Sequence, residues 1–96
     1  MMVLVSYDVS TTHKNGERRL RRIAKHCLDF GQRVQYSVFE CDVDPGQWEK
    51  LKMRLLNTYN VEVDSLRFYY LGANWKRKVE HFGVKAIKSI DEPMFI

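Results

Sequence analysis

The stretch GQRVQYSVFECDVD, residues 31–44, decides the fold because its composition predicts two adjacent strands. Val, Tyr and Phe are frequent in it, and these residue types favour β-strands. No Asn-Gly or Gly-Gly pair marks the turn that should divide the segment into a hairpin, and we predict this turn near residues 36–37. Alternation along the second strand puts three apolar side chains on one face: Phe39, Cys41 and Val43.

The chain before this hairpin predicts a strand followed by a helix. Residues 2–9 form a nearly continuous apolar run rich in Val, which is typical of a central strand covered on both faces. Apolar residues at steps of three and four, with basic residues between them, indicate the helix. We expect Asn15 to cap this helix and Gly31 to end it. The apolar stripe comprises Leu20, Ile23, Ala24, Cys27 and Leu28.

The chain after the hairpin predicts a second helix and two more strands. We expect Asp44 to cap the helix, Pro45 to take its first position and Gln47 to complete a variant of the capping box. Residues 64–71 alternate in polarity and predict a strand, and residues 79–82 predict a further short strand. The apolar stripe of the helix comprises Trp48, Leu51, Leu55 and Tyr59.

The order strand, helix, strand, strand, helix, strand predicts a ferredoxin-like fold of the α+β class. This is a βαββαβ antiparallel sheet with two helices on one face, here followed by a short C-terminal strand. Residues 1–96 are expected to form one domain, in which residues 79–96 are a strand and tail swapped in a dimer. Residues 79–82 have no obvious partner in their own sheet, and a second copy of the chain would also cover the free sheet face.

The formal net charge of +4 at pH 7 is spread unevenly along the chain. Residues 14–25 contain six basic residues and one acid, Glu17, and a second cluster comprises Lys76, Arg77 and Lys78. Such clusters suit a polyanion, either nucleic acid or an acidic membrane surface. A solvated helix face is an equally good interpretation of the charge alone.

Several classes of protein lose support. Cys27 and Cys41 lie far apart without a C-x-x-C spacing, which argues against a zinc site and a disulfide framework and predicts reduced core thiols. The first residues lack the pattern of a signal peptide and no segment is long enough to span a bilayer, so we expect a cytoplasmic protein with no membrane partner. The motifs of nucleotide triphosphatases, zinc proteases, serine hydrolases and the RNP1 segment are missing.

Asp8 is the leading candidate for chemistry because it is a charged residue at the end of an apolar strand. Mg²⁺ is usually held by one or two carboxylates together with water and phosphate oxygens. A twofold axis near Asp8 would supply the second carboxylate, and the ion would activate water. A hydrogen-bonding role toward Ser10 or Thr11 is the alternative, and it is the commoner one for a lone Asp. His13, in the nearby polar loop, is either a general base or a solvent-exposed side chain.

Four segments, taken in order, resemble the CRISPR-associated protein two family. They are VLVSYDV at residues 3–9, GQRVQYSVFECDVD at 31–44, DSLRFYYL at 64–71 and VEHFG at 79–83. A basic helix lies between the first two, and the resemblance spans essentially the whole chain. The VEHFG segment and the DEP tail are similar to the branch found with the compact type I systems.

This resemblance implies both an activity and an assembly. The activity is an endonuclease dependent on Mg²⁺, or alternatively Mn²⁺, that acts on double-stranded DNA or single-stranded RNA. The assembly is a homodimer in which the last short strand pairs with the sheet of the partner. The resemblance further implies a role in CRISPR adaptation, in which the dimer bridges the adaptation integrase and holds the duplex to be inserted as a spacer.

The resemblance also implies site residues. The catalytic, metal-binding aspartate of the family falls on Asp8. Phe39 is equally well interpreted as a core residue, and Arg33 as a residue that positions the strand pair instead of touching phosphate. The residues implied to bind nucleic acid or to support activity are Tyr7, Arg19, Arg22, Arg33, Ser37 and Phe39.

Three functions therefore stay open. The first is a metal-dependent endonuclease that uses two copies of Asp8. The second is a non-catalytic DNA-binding scaffold that bridges the adaptation integrase while the integrase performs the chemistry. One Asp per chain is little for an efficient nuclease, which favours the adaptation role over the nuclease role. The third is a toxin-like ribonuclease outside CRISPR systems, which would share the fold.

Overall fold

The computed structural model describes residues 1–72 and 78–84, and it contains the predicted order of elements. Lys76 and Arg77 of the second basic cluster, and the tail after Val84, lie outside the described residues. The elements are β1 (Met2–Asp8), α1 (Gly16–Leu28), β2 (Gln32–Gln35), β3 (Val38–Asp42), α2 (Pro45–Thr58), β4 (Ser65–Leu71) and β5 (Lys78–Gly83).

The five strands form one antiparallel sheet in the order β2-β3-β1-β4-β5. β1 lies at its centre, paired with β3 on one side and with β4 on the other. This is the ferredoxin-like α+β arrangement predicted from the order of elements, with β5 added beside β4.

The core lies between one face of the sheet and the two helices. Val3, Val5 and Tyr7 of β1 are buried, and the strand register places Phe39 and Phe68 on either side of Val5. Because the buried side chains of both helices join the same cluster, both helices pack on the same face of the sheet. The helical members are Ile23 and Cys27 from α1 and Trp48, Leu51 and Leu55 from α2.

Within the single chain β1 is covered by the helices on one face only, and cover of its other face by a second copy stays a prediction. Its burial alternates, so that Leu4 and Ser6 are half-buried and Asp8 is exposed. These residues lie on the face of the sheet opposite the helices, which we call the open face. The apolar run is continuous because Met2 and Leu4 are apolar although they lie on this open face.

The predicted capping box of α2 is confirmed. The Asp44 carboxylate accepts a hydrogen bond from the Gln47 amide at 2.7 Å, and the Gln47 side chain accepts one from the Asp44 amide at 3.0 Å. Pro45 takes the first helical position, where its missing amide hydrogen costs nothing. Neither α1 nor α2, the helices of the part of the chain that the structure describes, is long and apolar enough to cross a membrane.

The ends of α1 differ from expectation. Asn15 is the N-cap residue, but its φ of 63° is left-handed and its side chain makes no capping hydrogen bond. The helix ends at Leu28 with Asp29 as its C-cap, so Gly31 does not end it. Gly31 is needed instead for close packing against β3, because a Cβ there would lie 2.2 Å from the carbonyl oxygen of Glu40.

The hairpin turn is confirmed at Tyr36 and Ser37, between the end of β2 and the start of β3. The pairing of these strands is irregular between Arg33 and Gln35. One extra residue on β2 thus lies opposite β3 as a β-bulge, next to the two-residue turn.

The expectation that residues 79–82 have no partner in their own sheet is wrong. β5 pairs with β4 of the same chain along its length, from Gly83 opposite Ser65 to Lys78 opposite Tyr70. β4 offers a free edge beyond β1, and a strand close in sequence fills it at low entropic cost. Exchange of this segment between two copies of the chain stays a prediction.

Candidate functional site

Asp8 is the last residue of β1, and its carboxylate lies on the open face. It alternates with Tyr7, whose side chain is buried, and its Cα is paired with that of Ser65 on β4. The side chain is exposed, and within residues 1–72 and 78–84 no hydrogen bond or ion pair reaches its carboxylate. Such a carboxylate is available to a hydrated cation.

The loop after β1 is held by a different aspartate, Asp64. This residue directly precedes β4 and is fully buried. Its Oδ1 accepts a hydrogen bond from the Ser10 amide at 3.0 Å, and its Oδ2 accepts one from the Asn60 amide at 2.9 Å. The loop-binding role that was the alternative for Asp8 therefore belongs to Asp64, since the amide of Ser10 is already paired.

Asp64 forms a buried ion pair with Arg19. The Nε of Arg19 donates to Oδ2 at 2.7 Å, and its Nη2 donates to Oδ1 at 3.2 Å. Burial alone would raise the pKa of Asp64, but the hydrogen bonds from Arg19 and from the amides of Asn60 and Ser10 hold this pKa below its usual value. Asp64 is therefore charged at neutral pH despite its burial.

Arg19 was predicted to bind nucleic acid or to support activity; the structure argues against phosphate contact, and a supporting role in activity stays a prediction. Its side chain is buried, and besides Asp64 it donates to the carbonyl oxygens of Lys14 at 2.7 Å and Ser10 at 3.4 Å. In α1 the buried residues recur every three or four positions, and Arg19 lies one turn before Ile23 on that buried face. With its donors committed to the protein, Arg19 is not placed to contact phosphate.

The exposed basic residues of α1 remain candidates for phosphate contact. Arg22 is exposed and, within the described residues, forms no ion pair. Its neighbours on the helix surface share this exposure, so the helix presents a positive face that is free to meet a polyanion. These neighbours are Arg18, Arg21 and Lys25.

Arg33, Tyr7 and Phe39 form one contact group at the end of the sheet. The rings of Tyr7 and Phe39 stack with centroids 6.1 Å apart, and the Cζ of Arg33 lies 4.8 Å from the centroid of the Phe39 ring. Burial and the nearby Cys27 thiol raise the pKa of Tyr7, while Arg33 opposes this rise. Phe39 is fully buried, so the core interpretation fits it.

Arg33 and Ser37 hold the hairpin turn beside Asp8. The Nη1 of Arg33 donates a hydrogen bond to the carbonyl oxygen of Tyr36. The carbonyl oxygen of Ser37 accepts one from the Tyr7 amide at 3.2 Å, which ties the turn to the residue before Asp8. Arg33 is exposed, and these contacts favour its positioning role.

His13 lies in the loop after Asp8 and contacts a hydroxyl group. Its Nδ1 is 2.7 Å from the Oγ of Ser10, and both side chains lie toward solvent. The ring is therefore engaged within its own loop, as expected for a solvent-exposed loop histidine.

The predicted site residues thus separate into three environments. The end of β1 and the hairpin turn bring together Asp8, Tyr7 and Ser37, with Phe39 and Arg33 behind them. Arg22 lies on the exposed surface of α1, and Arg19 is buried in its ion pair with Asp64. Sequence reasoning missed Asp64, which it placed only as the start of a strand. The available signal was an acid at the start of a predicted strand, and the structure pairs its neighbour Ser65 with Asp8.

The sequence pattern of the family described as CRISPR associated protein Cas2 matches residues 1–79. The chain belongs to the Cas2 family. A relative from Nitratidesulfovibrio vulgaris named CRISPR-associated endoribonuclease Cas2 is 62% identical, over 100% of this chain and 94% of that protein. One from Halalkalibacterium halodurans named CRISPR-associated endonuclease Cas2 is 50% identical, over 98% of each. The crystal structure of Streptococcus pyogenes Cas2 at pH 6.5 has a TM-score of 0.70 and 55% identity, covering 78% of this chain and 90% of that chain.

The divalent metal implied by the resemblance to Cas2 proteins fits Asp8 in chemistry but not in ligand number. An exposed carboxylate without a protein partner is the ligand type that Mg²⁺ and Mn²⁺ prefer. Within the described ranges, however, no three His, Cys, Asp or Glu side chains lie close enough to hold an ion together. In the described part of the chain Asp8 is the one candidate ligand named at this site, and a second copy of the chain would bring a second Asp8 carboxylate.

Proposed function

We propose that this Cas2 chain is a metal-dependent endonuclease of CRISPR adaptation that works as a homodimer. Two copies of Asp8, one from each protomer, would hold Mg²⁺ or Mn²⁺ beside a phosphodiester. The observation that carries the proposal is the free Asp8 carboxylate at the end of the central strand on the open face. The names of the relatives, an endoribonuclease and an endonuclease, support the reaction class.

The open face supports the homodimer. Leu4, Val38, Tyr69 and Val79 lie on it and are only half-buried, and both helices pack on the other face. Apolar and aromatic side chains in this position are stabilised when a second surface covers them. A second copy would bring such a surface, and a twofold axis at the end of β1 would place the two Asp8 carboxylates together.

In this proposal different residues bind the nucleic acid and hold the metal ion. The exposed arginines of α1, Arg22 among them, would bind phosphates and orient the strand. The Asp8 pair would keep a cation at the scissile phosphate, and the bound cation supplies Lewis acidity and an activated water. Double-stranded DNA and single-stranded RNA both present the phosphodiester that this arrangement needs.

A non-catalytic scaffold is the second candidate function. The lack of a three-ligand cluster among the described residues favours it over an efficient nuclease. In this role the homodimer would grip duplex DNA through α1 and bridge the CRISPR adaptation integrase, which would perform the chemistry. The two functions differ in their dependence on Asp8.

Replacement of Asp8 by Asn tests the proposed nuclease. Purified wild type and Asp8→Asn are assayed on duplex DNA and single-stranded RNA with Mg²⁺, Mn²⁺ or EDTA, and binding is measured on the same preparations. We expect cleavage to fall on the order of 100-fold or more, because the metal contributes several kcal/mol. Binding should change by less than about twofold, since phosphate contacts come from the arginines.

Asp42→Asn is the matched control because Asp42 is an exposed carboxylate at the opposite end of the sheet, with Met2 of β1 as its partner. It should cut at the wild-type rate. Wild-type cleavage by Asp8→Asn would reject the nuclease, and duplex binding without cleavage under any divalent ion would leave the scaffold.

Replacement of Arg22 by Ala tests the nucleic-acid surface. Each phosphate contact on duplex DNA contributes roughly 0.9 to the slope of log affinity against log salt concentration. Arg22→Ala should therefore weaken binding and flatten this slope, as measured by fluorescence anisotropy across a salt series. Arg54→Ala is the control, because Arg54 is paired with Asp29 at 3.5 Å. A slope equal to that of wild type would show that Arg22 is only a solvated helix residue.

A further inference from the structure

We propose that Arg19 and Asp64 form a positioning pair that holds the end of β1 and thereby sets the place of the Asp8 carboxylate. This inference rests on the proposed role of Asp8 and adds to it two residues that do not touch the substrate. The pair lies beneath the site, buried, whereas Asp8 is exposed above it.

Asp64 is linked to Asp8 in two ways, through the chain and through its side chain. Through the chain it is joined to Ser65, whose Cα is the partner of Asp8 in the sheet. Through its side chain it binds the amide of Ser10, two residues after Asp8. One buried residue, Asp64, is therefore connected to the backbone on both sides of Asp8.

Arg19 fixes the rest of the loop between β1 and α1. Its guanidinium binds the carbonyl oxygens of Ser10 and Lys14 while it is paired with Asp64, so one side chain joins the start and the end of the loop. The first residue of α1 packs closely against the same loop, because a Cβ at Gly16 would lie 2.3 Å from the Ser10 carbonyl oxygen. Charge-assisted bonds of this kind hold geometry tightly when they are buried.

The burial of the pair points to positioning. A buried ion pair contributes little net stability compared with apolar residues of similar size, because both ions lose their hydration. The other side-chain ion pairs among the described residues, Lys52 with Glu80 and Arg54 with Asp29, have both partners more exposed. The buried pair instead lies next to the proposed metal ligand, where a displacement of about 1 Å can cost on the order of 100-fold in rate.

The variants Arg19→Lys and Asp64→Asn test this inference. Lysine keeps a positive charge beside Asp64 but has no planar fork to reach Ser10 and Lys14 together. Asparagine keeps the size of Asp64 and removes its charge. Arg54→Lys is the matched control, because it makes the same substitution in an exposed ion pair.

Three quantities are measured for each variant at a temperature where unfolding curves show it to be folded. They are the amide hydrogen exchange of residues 9–15, the kcat and KM of cleavage, and the Mg²⁺ concentration that half-saturates the NMR shift of the Asp8 amide. We expect faster exchange in this loop, a fall in kcat or in Mg²⁺ affinity of about 10–100-fold, as is typical for groups that orient metal ligands, and a KM within about threefold of wild type. Arg54→Lys should match wild type in all three.

The outcomes separate this inference from the proposed nuclease. Wild-type kcat and Mg²⁺ affinity in both folded variants would overturn the positioning role and leave the nuclease standing. A loss of kcat no larger than the unfolded fraction would overturn it too, because the pair would then be only structural. If wild type binds Mg²⁺ at Asp8 but cuts nothing, the nuclease fails, and weakened Mg²⁺ binding in Arg19→Lys still supports positioning. Absence of any Mg²⁺ shift at Asp8 in wild type would overturn both.

Discussion

Removing only Asp64 should destabilise the fold more than removing both members of its ion pair. Asp64→Asn leaves the Arg19 guanidinium buried without a counter-charge, since Arg19 has a side-chain exposure of 11% and Asp64 of 0%. Loss of one member of a buried pair costs roughly 3–5 kcal/mol. In a domain of this size that loss lowers the unfolding temperature by at least about 12 °C.

The double variant Arg19→Met with Asp64→Asn removes the unpaired charge. The asparagine carbonyl still accepts from the Ser10 amide. The remaining costs are the lost acceptor of the Asn60 amide and the lost Arg19 donors of the part-buried Lys14 and Ser10 carbonyl oxygens, together about 1–3 kcal/mol. The double variant should therefore be more stable than Asp64→Asn by about 2 kcal/mol. Urea unfolding at one protein concentration, followed by the fluorescence of the buried Trp48, measures both.

The pH dependence gives an independent test of the same pair. The folded-state pKa of Asp64 lies below its usual value, so its contribution to stability is present above the unfolded pKa of about 3.9. It is lost as the pH falls through the folded-state pKa. The stability difference between wild type and Asp64→Asn should accordingly be constant near neutral pH and shrink below about pH 4.

Two results would refute this reasoning. Equal stabilities of Asp64→Asn and the double variant would show that Arg19 does not depend on the charge of Asp64. A stability difference that stays constant down to pH 2.5 would show that folding does not hold the pKa of Asp64 below its unfolded value. Asp29→Asn is the control, because its exposed pair with Arg54 contributes only about 0–1 kcal/mol.

Two further predictions concern the backbone and the thiols. Gly31→Ala should cost about 1–3 kcal/mol in urea unfolding, because the added Cβ would lie 2.2 Å from the Glu40 carbonyl oxygen. Gly72→Ala, whose added Cβ meets no atom of the described residues within 4 Å, should stay within about 0.5 kcal/mol. Equal effects of the two substitutions would contradict the close packing at Gly31. Burial raises the pKa of Cys27, and raises the pKa of Cys41 to about 11. A disulfide reagent at pH 8 should therefore label neither thiol until urea is added. Labelling of the native protein would show that the thiols are accessible.

The elements of this fold were predictable because their signals are local. The capping box at Asp44 and Gln47 lies within four residues, and the alternation of β3 and β4 follows directly from strand geometry. The turn at residues 36–37 was found by elimination, since the hairpin needed one between two runs of strand-forming residues. The order of the elements and the known handedness of connections between strands then limit the topology to a few choices, and the ferredoxin-like sheet is one of them.

Other features were not predictable because they depend on contacts between distant residues. The predicted buried stripe of α1 contained only apolar residues, so Arg19 was expected on the surface. Arg19 is buried because it pairs with Asp64, which is 45 residues away in the sequence. Leu28, assigned to the stripe, is 53% exposed instead. The alternation of β5 likewise shows that it is a strand but not which edge it joins, and in this chain it joins β4 of its own sheet.

The two aspartates at the end of the central strand explain why the site is the hardest part to derive from the sequence. A lone Asp before a polar loop usually binds the loop amides, and on that rule Asp8 would be a loop residue. Strand alternation instead turns Asp8 toward the open face, and the amide of Ser10 is bound from the neighbouring strand by Asp64. Because the buried carboxylate satisfies the loop, the exposed one is left without a protein partner among the described residues. The availability of Asp8 for a cation is thus a property of the pairing of β1 with β4, and it depends on Asp64 as much as on Asp8.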